Sequence, residues 1–148
     1  MATLKTNTLT GTSTAGSIAV TAEGNSTTTN LQQGLAKGWY NFDGYLSSLS
    51  ARDSFNSSSL TDNGTGNYTN TLTNNMANDD YAVSFATGTH GDTRHFHVCG
   101  IDADSESSGN PPTTSAVRMQ NHVNGTSSAN PVDHDHEIIV GNIHGDLA

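Results

Sequence analysis

Seven histidines in 148 residues are the first candidates for chemistry: His90, His95, His97, His122, His134, His136 and His144. Two pairs, His95 with His97 and His134 with His136, have HxH spacing. In an extended strand residues i and i+2 point to the same face, so each pair presents two imidazoles side by side. Imidazole suits Zn, Fe, Ni and Cu, and three such pairs around a threefold axis would offer six nitrogens in an octahedral cage. His95, His97, His134 and His136 are therefore the candidate ligands for a transition-metal ion, iron or zinc. Two readings compete with metal. In one, the imidazoles are solvated on a polar strand, with Phe96 and Val98 toward the core and His95, His97 and Cys99 facing away. In the other, Asp133, Asp135 and Glu137 stabilise protonated His134 and His136 and make the pair pH-sensitive.

The remaining reactive residues offer less. Asp102-Ala103-Asp104-Ser105-Glu106 alternates carboxylates as a calcium loop does, but the sixth position, which wants glycine, is Ser107, so a solvated acidic loop is the expectation. Cys99 lies near His97, yet neither an oxyanion-hole motif nor a third partner accompanies the pair. Cys99 reads instead as a small buried residue at a strand end. Without identifiable catalytic residues, the expectation is a non-enzymatic protein. Trp39, Tyr40, Phe42 and Tyr45 are capable of stacking on sugar rings, but in a chain this poor in large apolar residues they read first as core.

Composition limits the partners. Only 32% of residues are hydrophobic and 13% charged, while 21 Thr, 17 Ser and 16 Asn fill more than a third of the chain. Ordinary soluble domains carry about 45–50% apolar and about 25% charged residues, so core material is short. Five Lys+Arg against 14 Asp+Glu give a net charge of −9, the wrong sign for phosphate backbones or anionic lipid. Neither nucleic acid nor membrane insertion is expected. The opening Met1-Ala2-Thr3-Leu4-Lys5 lacks the apolar stretch of a signal peptide, and a single cysteine fits synthesis in a reducing cytoplasm. A core-poor chain without disulfides needs another source of stability, and oligomerisation or a metal are the available ones.

The elements that must position these residues follow from periodicity. Residues 1–34 contain no aromatic residue and read as an extended arm whose sizeable anchors are Leu4, Leu9, Ile18 and Val20. From residue 35 to 148 the texture is that of a packed domain. Strands are expected over Trp39–Tyr45, Ala51–Asn56, Asn67–Leu72, Tyr81–Phe85, His95–Cys99, Ala116–Gln120 and Glu137–His144. An Asn63-Gly64 dipeptide marks a hairpin. Helical periodicity is confined to Leu31–Lys37. Six or seven short strands separated by Gly, Asn and Pro argue for an all-β antiparallel sandwich, jelly-roll-like, behind the N-terminal arm.

Ala36-Lys37-Gly38-Trp39-Tyr40-Asn41-Phe42-Asp43-Gly44 and the stretch from Arg52 to Thr69 resemble a module of bacteriophage virion proteins, notably of marine phages, commonly labelled tail fibre proteins. Met76–Val83, the closing Val140–Ala148 and the leader Leu4–Leu9 are similar to further parts of that pattern. The resemblance implies a homotrimeric β-rich appendage on the outer surface of a phage particle, a tail fibre or capsid decoration, made in the host cytoplasm. It also implies that HxH pairs can gather metal on a threefold axis, as trimeric phage fibres do as a class. The expected partners are the chain itself, other capsid or tail proteins bound through the arm, and a host surface glycan or receptor met by loops at 86–94, 102–113 and 122–135. The alternative is a soluble carbohydrate- or metal-binding adhesin module.

Overall fold

The computed structural model describes residues 3–11, 18–21, 27–88, 97–102, 112–124 and 131–148. They fall into two compact units, Met1–Leu35 and Ala36–Ala148. In the first, β1 (Ala19–Thr21) pairs antiparallel with β2 (Thr28–Asn30), placing Val20 opposite Thr29. The single helical turn α1 (Leu31–Gly34) follows directly. Asn30 caps it, its Oδ1 accepting from the Gln32 amide at 2.7 Å, as the orphan donors of a helix start require. The turn stops short of Lys37 because Leu35 is already extended.

The second unit contains β3 (Gly38–Phe42), β4 (Ala51–Phe55), β5 (Ser57–Gly64), β6 (Asn67–Leu72), β7 (Ala82–Gly88), β8 (His97–Ile101), β9 (Ala116–Asn124), β10 (Pro131–Asp133) and β11 (Ile138–His144). All pairings are antiparallel. One sheet runs β4-β3-β11-β7. In the other, β5 pairs β6 and β6 pairs β9; β8 takes the far edge of β9, and β10 pairs the end of β9 that β6 leaves free. The fold is thus the all-β sandwich read from periodicity, with β10 arising inside a stretch expected to be loop.

The core is the inner face of both sheets. Period-2 alternation buries Tyr40 and Phe42 on β3, Tyr68 and Leu72 on β6, Val117 and Met119 on β9, and Ile139 and Ile143 on β11. The sheets meet where the Phe42 and Tyr68 rings cross edge to face at 5.2 Å and the Tyr40 hydroxyl approaches Met119 Sδ at 3.5 Å. Tyr40 is accommodated because its cross-strand partner is Gly141. A Cβ there would lie 2.3 Å from the Tyr40 ring, so the glycine is the space the ring occupies.

Two turns fix the path of β5, the first between the sheets and the second within one. At Asn56, between β4 and β5, the backbone is left-handed (φ 56°). Its side chain donates to the Lys37 carbonyl at 2.9 Å and accepts from the Asn74 amide at 2.6 Å. The hairpin expected at Asn63-Gly64 is present, but its tip is Thr65-Gly66, since Gly64 pairs with Asn67. Packing decides the shift. Gly66 has φ 69°, and a Cβ on it would stand 2.6 Å from the Asn121 carbonyl, so only glycine fits beneath β9.

Strand β8 corrects one expectation. Val98 is 54% exposed, whereas Cys99 packs against the core cluster and His97 shares its face. The phase is set by register: Cys99 stands opposite Asn121, in step with the buried Val117 and Met119. The alternation of β8 alone does not reveal which face is inward.

Candidate functional site

Strand β9 ends at Asn124, and β10 returns beside it with His122 opposite Asp133. The chain then runs across one end of the sandwich toward β11. The His134 amide donates to the Asn121 carbonyl at 3.2 Å, and the His136 carbonyl accepts from the Gly44 amide at 2.8 Å. Between them Asp135 turns inward. Its Oδ1 accepts from the Gly66 amide at 2.7 Å and from the Tyr68 hydroxyl at 2.5 Å. Burial, reinforced by this carboxylate, raises the Tyr68 phenol far above its usual range, so it acts as a neutral donor. The segment is therefore anchored on both sides of each histidine.

This anchoring brings together imidazoles from both HxH pairs. His97 on β8 and His136 meet edge to face with ring centroids 4.6 Å apart and planes at 88°. His134 lies 5.1 Å from His136 and borders Tyr45, whose ring is 6.2 Å away. His136 is fully buried. Burial, with lesser contributions from the neighbouring His97 and His134, lowers its pKa from 6.5 to about 4, outweighing a hydrogen bond to the His122 backbone and the charge of Asp135. The acidic flanks therefore do not hold His136 protonated, contrary to the pH-sensitive reading. Desolvation of the charged form exceeds the attraction of a nearby carboxylate.

Both His97 nitrogens and His134 Nδ1 are buried without a hydrogen-bond partner among the described residues, as are both polar atoms of the Asn121 amide. Asn121, 0% exposed, was not singled out by sequence. Its signal was available in the alternation Val117, Met119, Asn121. As the rings are packed, no group of three His, Cys, Asp or Glu among the described residues is arranged to hold a metal.

The other candidates lie apart. His90, His95, Asp104 and Glu106 are outside the described residues. Asp102 accepts from Asn67 Nδ2 at 2.8 Å and pairs with Arg118 Nε at 2.9 Å. His122 Nδ1 lies 2.9 Å from Asp133 Oδ1, on the outward face of the sheet. His144 is exposed at the end of β11. Burial pushes the Cys99 thiol up to about 12, which makes it a packing residue and a poor nucleophile. Of the proposed arm anchors, Leu4, Leu9 and Val20 are exposed, and the Ile18 carbonyl accepts from the Leu31 amide at 2.8 Å.

No family model, curated protein or solved structure matches the chain.

Proposed function

We propose that the chain is a structural protein of a bacteriophage particle, a short homotrimeric fibre or capsid decoration whose first 34 residues attach to the particle and whose sandwich projects outward. One observation carries the reading. The first and last pieces that resemble phage appendage modules lie far apart in the sequence, yet they form the two central strands of one sheet, β3 and β11, paired from Gly38–Ile143 to Phe42–Ile139, with β4 from the second piece at one edge. The outward face of that sheet carries Trp39 beside Phe55, then Val140 and Ile138, with Phe55 51% and Ile138 43% exposed. Symmetric association is the economical way to cover such a face on a core-poor chain. In the N-terminal unit Leu4, Leu9 and Val20 are 80%, 54% and 45% exposed, as suits residues awaiting a partner. Light scattering on the purified chain tests the trimer, and a monomer mass at all concentrations would refute it. Gold-labelled antibody on particles of a phage encoding the chain tests the location.

A second reading, a glycan-binding adhesin, has its own support. Asn67, Asp102, Arg118, Gln120, His122 and Asp133 line an open cavity of about 430 Å³ on the other sheet, a dense set of donors and acceptors of the kind hydroxyl-rich ligands need. Glycan-array binding that Asp102→Ala abolishes would favour it.

A further inference from the structure

The open cavity on the outward face of the second sheet presents hydrogen-bond donors whose directions are fixed from beneath. Arg118, Gln120 and His122 alternate along β9 with the buried Met119 and Asn121, so they share that face, with Asn67, Asp102 and Asp133 around them. An arginine side chain has donors and no acceptor. Arg118 Nε donates to Asn67 Oδ1 at 2.7 Å, which obliges Asn67 Nδ2 to face the other way, toward Asp102 Oδ2 at 2.8 Å and Gln120 Oε1. With its Oε1 engaged, Gln120 turns Nε2 away from the network. Arg118 Nε also lies 2.9 Å from Asp102 Oδ2, so the guanidinium charge is balanced. Its two terminal nitrogens, like Gln120 Nε2, have no partner among the described residues.

We propose that this cavity takes the acetamido group of an N-acetylated sugar, which rests on the glycan-binding reading and names the ligand class of that site. Arg118 and Gln120 stand two residues apart on one face of the strand, about 6.6 Å. Their free donors suit one oxygen with two lone pairs, a carbonyl or a carboxylate. Charge decides between them. Asp102 already neutralises Arg118, Asp133 stands 56% exposed at the other end, and the chain carries a net −9, so an anion is repelled where a neutral carbonyl is not. The acetamido methyl has a place as well. Ile101, 39% exposed, is the apolar member of the lining. Gly100 pairs with Gln120, and a Cβ on it would meet nothing within 4 Å, so the surface beside Gln120 is open. The sugar hydroxyls are left to donate to Asp133. At about 430 Å³ the cavity is within the range of small-molecule sites.

The test is an NMR titration of the full chain with the methyl glycosides of N-acetylglucosamine, N-acetylgalactosamine, glucose, galactose and glucuronic acid, beside a glycan array. An N-acetylated sugar should bind about 5–10-fold more tightly than its parent hexose, the worth of one good hydrogen bond, and should shift the Gln120 side-chain amide and the Ile101 methyl signals. Glucuronate should bind no better than glucose. Gln120→Glu keeps the acceptor toward Asn67 but replaces the free donor, and should erase the preference. Gly100→Val fills open space without meeting a neighbour, so it should weaken binding by a similar factor while the thermal midpoint stays or rises, an outcome that a merely structural role would not give. Hexoses that bind at these residues as well as their N-acetylated forms, or a preference for glucuronate, overturn the acetamido assignment and leave the glycan reading standing. So does a preference that both variants retain, or array binding confined to glycans without an acetamido group. A blank array overturns both.

Discussion

Replacing Gly141 by alanine tests the account of the core most directly. The added Cβ would lie 2.3 Å from Cζ and Oη of Tyr40 and 2.8 Å from Cε2, far inside contact distance. Tyr40 has nowhere to retreat. It is fully buried, its ring centroid is 6.0 Å from that of Phe42, and its hydroxyl rests against Met119 Sδ. Overpacking a rigid site costs about 1–3 kcal/mol, and a clash with a ring this confined belongs at the upper end. Against this stands a gain of about 0.5–1 kcal/mol, because alanine loses less backbone freedom than glycine on entering a strand. The net loss is about 2 kcal/mol, or a fall of about 8–10 °C in Tm for a domain near this size. The assay is thermal and urea unfolding of Gly141→Ala, Tyr40→Ala and the double variant. In the Tyr40→Ala background the clash is gone, so Gly141→Ala should become neutral or stabilising. A Gly141→Ala protein as stable as the parent, or a double variant whose losses simply add, would refute the packing argument.

Acid should weaken the fold through His136. Its folded pKa of about 4 lies below the ordinary 6.5, so the unfolded chain takes up the proton first as pH falls; the stabilisation is complete above pH 6.5 and is lost down to about 4. The shift corresponds to up to about 3 kcal/mol, and the urea midpoint of His136→Gln should lose that part of the pH dependence. Cys99, its thiol raised to about 12, should resist iodoacetamide at pH 8 in the folded chain and react once urea unfolds it; rapid labelling of the native protein would contradict its burial. Asn56→Ala removes both anchors of the β4–β5 corner and places a Cβ residue without a polar side chain at φ 56°. A loss of about 2–3 kcal/mol in chemical unfolding is expected. Asn56→Gly should cost less, since it relieves the backbone while losing the same hydrogen bonds.

Much of the architecture was legible because it depends on local rules. The alternation of Tyr81, Val83 and Phe85, the run Glu137–His144 and the glycine-bounded Trp39–Phe42 stretch each identify a strand, since a half-buried strand has side-chain period 2. The change of texture near residue 35 is written in the absence of aromatic residues before it. The HxH spacing drew notice to these histidines through strand periodicity, but His134 and His136 stand between β10 and β11 rather than on a strand.

The sequence left open what depends on neighbours. Alternation gives two faces to β8 but does not say which is inward; pairing with β9 turned His97 and Cys99 in and left Val98 exposed. The Asn63-Gly64 signal was displaced to Thr65-Gly66 because Gly66 must pass under Asn121. That His97 joins His134 and His136, and that burial overrides the acidic flanks at His136, follows from Asp135 locking the segment onto Gly66 and Tyr68. Local chain chemistry determined the strands and the residues capable of ligation. Only the packing of two sheets decided which of those residues meet, because contact between distant segments and the loss of water around them are properties of the folded whole.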